Sequence, residues 1–232
     1  MSISENLSAV QERVRLAAAG AGVDEKSIRI IGATKMNDAS RVREAIGAGL
    51  GFCGENRVQE MLDKAGQSAY EGAELHFIGH LQKNKVKNVV GLAKLIHSVD
   101  SVALMEQVDR VAERMGLVQD ILLEINIGRE EAKSGFFAEN LEEALLKAGQ
   151  LPHIRVRGLM AVPPICAFGE ENRPYFNEMR KLFIDNGEKK YDNVYMDFLS
   201  MGMSGDFETA IACGANIIRL GSVIFGARNY KP

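Results

Sequence analysis

A lysine closes the first strand-like run, Ile28-Arg-Ile-Ile-Gly-Ala-Thr-Lys35, and Met36-Asn-Asp-Ala-Ser40 then leads into a helix. Lysine is out of place inside a strand, but at the C-terminal end of one it can point into a cavity. Partial desolvation there makes its amine a nucleophile able to form a Schiff base. Taken alone, the residue reads better as a surface lysine beside a turn. The last strand-like run, Ile217-Ile-Arg219-Leu-Gly221-Ser222, ends on a glycine and a hydroxyl before a short helix, and Leu199-Ser200-Met-Gly-Met-Ser204 ends the preceding run in the same way. Backbone N–H groups at such ends bind phosphate. Ser200, Ser204, Gly221 and Ser222 are therefore candidate phosphate contacts, with tight turns and helix caps as the alternative. Arg219 stands two residues before Gly221 and shares its face of the strand. A charge in that place is costly unless it is paired or faces a ligand, and arginine is one of two partners used for the ring nitrogen of pyridoxal 5'-phosphate (PLP). A lysine for the aldehyde, an arginine for the ring and a Gly-Ser end for the phosphate together describe a PLP site.

The elements that must position these residues alternate along the whole chain. Strand-like runs occur at 28–34, 50–53, 75–79, 94–97, 120–127, 155–162, 194–201 and 216–221. Between them lie helical stripes: Val102, Met105, Val108, Ala112 and Met115; Leu141, Leu145 and Ala148; Phe176, Met179 and Phe183. An additional helix opens the chain. Ser2 and Glu5 have capping-box spacing, Leu7, Val10, Val14 and Ala17 repeat at helical period, and Gly20 and Gly22 are read as its stop. Strands alternating with helices imply a parallel sheet. Periodicity alone leaves two outcomes, a closed (β/α)8 TIM barrel or an open doubly wound sheet. In a barrel, Lys35 and the Gly221 end would sit on the C-terminal rim that carries active sites. No linker or composition break divides residues 1–232, so one domain is expected, with an irregular loop at Pro163–Gly169. Gly49-Leu-Gly-Phe-Cys-Gly54 matches a dinucleotide fingerprint by letters only. Val42, Ala45 and Ile46 before it read as a helix, where the fingerprint needs a strand, so these glycines are punctuation.

Composition narrows the function classes. The chain has 232 residues, 28 Lys+Arg against 31 Asp+Glu, 46% hydrophobic residues and 23 glycines, about a tenth of the chain. This is the profile of a globular protein, not of a disordered, collagen-like or disulfide-scaffold chain. No basic stripe marks a nucleic-acid surface; Lys83-Asn-Lys-Val-Lys87 reads as a solvated helix start. No apolar run approaches the ~20 residues of a membrane span, and no secretory signal opens the sequence. Cys53, Cys166 and Cys213 are unpaired in spacing, which fits reduced thiols and a cytoplasmic location. Of the four histidines only His76 and His80 have ligand-like spacing, and without a helical H-E-x-x-H frame no metal site is expected.

The chain resembles the pyridoxal phosphate homeostasis proteins, whose fold is similar to the N-terminal barrel of bacterial alanine racemase. The resemblance rests on Gly32-Ala-Thr-Lys35, Gly54-Glu-Asn-Arg-Val-Gln-Glu60, His76-Phe-Ile-Gly-His-Leu-Gln82, His97-Ser-Val-Asp-Ser101, Lys133-Ser-Gly135, Arg157-Gly-Leu-Met160, Leu199-Ser-Met-Gly-Met-Ser204 and Arg219–Arg228, in family order. It implies a single alanine racemase-like barrel with an extra N-terminal helix. Lys35 would carry PLP covalently, Arg219 would face the ring nitrogen, and Ser200, Ser204, Gly221 and Ser222 would hold the phosphate. Asn56 and His80 would lie near the ring. Ser222 stands where the family more often has threonine, and Met36-Asn37-Asp38 departs from the usual polar, basic and proline residues after the lysine. The implied function is a monomeric PLP carrier, not an efficient enzyme, that sequesters the cofactor and releases it to apo PLP-dependent enzymes. The alternatives are a weak PLP-dependent racemase and, from the residues alone, a class I aldolase-like barrel acting on a sugar phosphate. Against the racemase stand an arginine at the ring nitrogen, which weakens the electron sink, and a chain ending at Pro232, short of the domain that supplies the racemase's opposite-face tyrosine.

Overall fold

The computed structural model describes residues 2–165 and 169–226. Cys166, Phe168 and Arg228 lie outside the described residues. Eight parallel strands close into a barrel in sequence order: β1 Arg29–Ala33, β2 Phe52–Glu55, β3 Glu74–Phe77, β4 Leu95–Val99, β5 Gln119–Ile125, β6 Ile154–Ala161, β7 Val194–Ser200 and β8 Ile217–Leu220. Closure is made by β1 against β8, with Ile31 opposite Arg219 and Gly32 opposite Leu220. The periodicity that fitted both a barrel and an open sheet is thus resolved as a barrel.

Helix α1, Ile3–Ala21, has the expected capping box, with Ser2 Oγ accepting from the Glu5 N–H and the Glu5 carboxylate accepting from the Ser2 N–H. Its buried stripe is Ile3, Leu7, Val10, Val14 and Ala18. The stop differs by one glycine from the sequence reading. Gly20 continues the helix, and Gly22 ends it in the left-handed conformation, φ 69°, which residues with side chains seldom adopt. The remaining helices are α2 Ala39–Gly47, α3 Val58–Ala65, α4 Val102–Arg114, α5 Leu141–Ala148, α6 Arg173–Gly187, α7 Phe207–Ala212 and α8 Ser222–Phe225. The β3–β4 crossover contains no α-helix among its residues. Its lysine-rich segment, Lys83–Asn88, forms a 3-10 turn that buries only Val86.

The larger apolar core lies between the barrel wall and the helices, and it takes in the buried stripes of α1, α4 and α5. Ile31, Leu95, Leu122, Met160 and Ile217 form a separate small cluster. Beside these apolar residues the strands carry buried His76, His97, Ser200 and Arg219, so the interior is partly polar.

Candidate functional site

Lys35 sits in the turn two residues beyond Ala33, half-buried at the C-terminal end of β1. Because β1 and β8 are hydrogen-bonded neighbours, that turn and the Gly221-Ser222 turn leave the barrel side by side. They line one cavity of about 400 Å³ together with Asp38 and Arg41. Gly221 precedes α8. Its N–H donates to Ser204 Oγ at 3.3 Å, and its carbonyl accepts from Ile224 and Phe225 at 3.0 and 2.9 Å. A side chain at Gly221 would meet only Ala33, at 3.6 Å, so glycine leaves open a space against a wall of the same cavity. Arg41 was not singled out from sequence. Its guanidinium bonds Asn37 Oδ1 at 3.0 Å and the Phe225 carbonyl, and so ties α2 to α8 beside the Gly-Ser turn. The available signal was a cation one helical turn after the lysine's loop.

Arg219 is buried inside the barrel. Nη1 donates to Ser200 Oγ at 2.6 Å and Nη2 to the Ala161 carbonyl at 2.9 Å. Burial brings its pKa down to about 10, against the opposing pull of Glu124 and Asp206, so the guanidinium stays charged at neutral pH. Behind it runs a chain of buried side chains. Ser200 Oγ lies 3.0 Å from His97 Nδ1, and His97 Nε2 lies 2.9 Å from His76 Nδ1. Burial holds His97 well below the usual histidine range and His76 at about 3. Both rings are therefore neutral at pH 7. Arg219 donates to Ser200, and Ser200, His97 and His76 are joined by two further hydrogen bonds whose direction is set by the ring tautomers.

The structure places Ser200 apart from the other expected phosphate contacts. The Ser200 hydroxyl is fully buried in the barrel between Arg219 and His97 and does not line the Lys35 cavity, so a phosphate contact would require it to leave both partners. Ser204, by contrast, lies against the Gly221 turn. Glu124 is a further residue that sequence reasoning missed. Its carboxyl is pushed up by burial and by Asp100, with Arg219, His80 and Lys133 pulling the other way. A lone acid in the apolar run Ile121-Leu-Leu-Glu-Ile125 was the signal.

Asn56 and His80 follow the ends of β2 and β3 and share a cavity of about 240 Å³ with Glu124 and Ser134. The structure thus brings these two together on a part of the rim adjacent to, but separate from, the Lys35 cavity. Gly79 allows that approach, since a Cβ there would fall 2.1 Å from the Asn56 carbonyl oxygen. Asn56 Oδ1 is buried with no hydrogen-bond partner among the described residues. His80 Nδ1 lies 3.2 Å from both Asp100 Oδ2 and Ser134 Oγ. An amine, a buried guanidinium, a Gly-Ser turn with open space and an unpaired amide oxygen form a donor set that fits PLP. The described residues contain no group of three or more metal-ligating side chains. No helix of the described chain is long and apolar enough to cross a membrane.

The family model for the N-terminal domain of alanine racemase matches residues 6–229. The chain belongs to that family. Within it, the chain is 44% identical over 230 residues to an Aquifex aeolicus protein named pyridoxal phosphate homeostasis protein, covering 99% of this chain and all of the relative. An Escherichia coli K12 protein of the same name is 36% identical over 234 residues, covering 99% and 98%. These matches place it among the pyridoxal phosphate homeostasis proteins. Among solved structures, PipY of Synechococcus elongatus with PLP bound superposes with a TM-score of 0.83 at 31% identity, covering 97% of this chain and all of that one. An alanine racemase from Clostridium difficile has a TM-score of 0.66 at 13% identity, covering 99% of this chain and 58% of that one, and shares the fold.

Proposed function

We propose that this homeostasis-family protein binds PLP at the β1–β8 end of the barrel, holds it through Lys35, and releases it to apo PLP-dependent enzymes. The observation that carries this reading is the convergence of Lys35 and the Gly221-Ser222 turn on one cavity. The PLP bound to PipY and the names of the relatives support it. When bound, PLP supplies an aldehyde that condenses reversibly with a lysine amine. The chain's own part is to present that amine, to offer the N–H groups of the Gly221-Ser222 turn and the Ser222 and Ser204 hydroxyls to a phosphate, and to set Arg219 toward the ring nitrogen. The first N–H groups of a helix have no carbonyl partners within it, which suits them to an anion. Asn56 Oδ1, buried and without a partner among the described residues, is an acceptor for a donor on the ring or its substituents.

The same residues favour a carrier over an efficient enzyme. Arg219 stays positively charged at neutral pH and is fixed by Ser200 and the Ala161 carbonyl. A fixed cation disfavours protonation of the ring nitrogen, and without that proton the ring draws electrons from a substrate carbanion weakly. The test is spectroscopic. The protein mixed with PLP should gain a visible absorption band that Lys35→Ala removes, and the loaded protein should reactivate an apo-enzyme while a PLP trap is present. No band in the wild-type protein would overturn the binding reading. Rapid exchange of an amino acid's α-hydrogen with deuterated solvent would overturn the carrier reading in favour of a racemase.

A further inference from the structure

The two peptide groups that flank Lys35 are gripped by two side chains of one helix. Lys64 Nζ donates to the Thr34 carbonyl at 2.7 Å, on the peptide that enters Lys35. Glu60 Oε2 accepts from the Met36 N–H at 2.8 Å, on the peptide that leaves it. Glu60 and Lys64 stand one turn apart on α3, with Nζ 3.5 Å from the same Oε2. Beneath them lies Glu55, fully buried. Its Oε1 takes hydrogen bonds from Lys64, from Thr34 Oγ1 at 2.6 Å and from Tyr70 at 3.1 Å. A buried lysine–glutamate pair is a poor source of net stability compared with apolar packing, so its cost calls for another reason. The backbone it holds is unusual. Met36 has φ 62°, the left-handed region that residues with side chains seldom occupy and that persists only when surrounding contacts enforce it.

We infer that Glu60 and Lys64, seated on Glu55, are positioning residues that fix the Lys35 backbone and so aim its amine. The inference rests on the proposed role of Lys35 and adds residues that hold the peptides on either side of it. With both flanking peptides held, φ and ψ of Lys35 are fixed and only its side-chain torsions remain to be searched. Releasing one peptide lets the Met36 turn relax toward ordinary backbone and swings the Lys35 Cα–Cβ direction. Bond formation at the amine then slows, while the pocket for the rest of the cofactor is left in place.

The experiment uses the full chain with Glu60→Ala and Glu60→Gln. Glu60 is partly exposed at the start of α3, so its removal spares the buried pair. Two ligands separate the effects: PLP, read by the rate at which the visible band grows, and pyridoxine 5'-phosphate, which lacks the aldehyde and reports non-covalent affinity. Glu60→Ala should slow band formation by about tenfold or more while pyridoxine 5'-phosphate affinity stays within about twofold. Glu60→Gln, whose amide oxygen can still accept from the Met36 N–H, should restore most of the rate. A third readout needs no cofactor. Hydrogen exchange at the Met36 amide should quicken in Glu60→Ala and not in Glu60→Gln. Equal loss of affinity for both ligands, an unchanged band rate, or an unchanged Met36 exchange would overturn the inference. Failure of the wild-type protein to form any band would overturn the PLP reading instead, with the exchange result still deciding whether the clamp exists.

Discussion

Acid puts the buried chain behind Arg219 to a quantitative test. An ordinary histidine takes up a proton near pH 6.5, whereas burial holds His76 down to about 3. Between those values the unfolded chain binds a proton that the folded protein refuses, so stability is full above the unfolded value and falls as pH falls. Each pH unit inside that window costs about 1.4 kcal/mol per histidine. At pH 5, roughly one and a half pH units inside it, His76 alone removes about 2 kcal/mol relative to pH 7. His97 is shifted in the same direction by burial, by His76 and by Arg219, and its loss has the same sign. Carboxylates add their own pH dependence, so the informative quantity is the difference between the wild-type protein and His76→Gln, in which that site no longer titrates. Urea midpoints at pH 7 should place the variant about 1 kcal/mol below the wild type, for the lost contact to His97. At pH 5 the variant should gain about 2 kcal/mol relative to the wild type and overtake it. Equal pH dependence in the two proteins would refute the reasoning. It would mean that folded His76 takes a proton as readily as the unfolded chain, with the half-exposed Glu74 carboxylate, 3.8 Å from Nε2, as the group that stabilises it.

Three other substitutions bear on the site. Arg219→Glu in the PLP-loaded protein should move the absorption maximum while leaving the band present; an unmoved maximum would place Arg219 away from the ring. Ser222→Ala should speed PLP loss by up to about tenfold, with the urea midpoint almost unchanged because the residue is exposed. Equal retention by the variant would assign the phosphate to other groups. Gly79→Ala should cost about 3 kcal/mol or more, because its methyl would meet the Asn56 backbone at 2.1 Å and the ends of β2 and β3 would have to part. A wild-type urea midpoint would show that the two loops separate freely.

Much of this molecule is legible along the chain, because strand and helix periods are local properties. The eight strand-like runs correspond to the eight strands with shifts of a residue or two, and the Ser2–Glu5 cap forms as its spacing requires. The G-x-G-x-x-G match is punctuation in the structure too. α2 ends at Gly47, and the last three of the six residues already belong to β2. Lys35, Arg219 and the Gly221-Ser222 end stood out because their types are wrong for the interior of a strand. What the letters lack is a partner across the sheet. Ser200 looked like half of a phosphate loop, yet β7 pairs with β8 through Ser200 and Ile217, and that register sends the hydroxyl to Arg219. His76 and His97 show no relation in the sequence, yet adjacent strands bring His76 Nδ1 within 2.9 Å of His97 Nε2.

Sequence alone therefore determined which residue types sit at which strand ends, since backbone period and side-chain chemistry are written in order along the chain. Closure decided the rest. Only a barrel makes β8 a neighbour of β1, and so only the closed sheet brings Lys35 and Gly221, 186 positions apart in sequence, onto one cavity. The grip of Glu60 and Lys64 on the peptides around Lys35 has the same origin. It depends on α3 packing under the turn that follows β1, a long-range contact that no local pattern encodes.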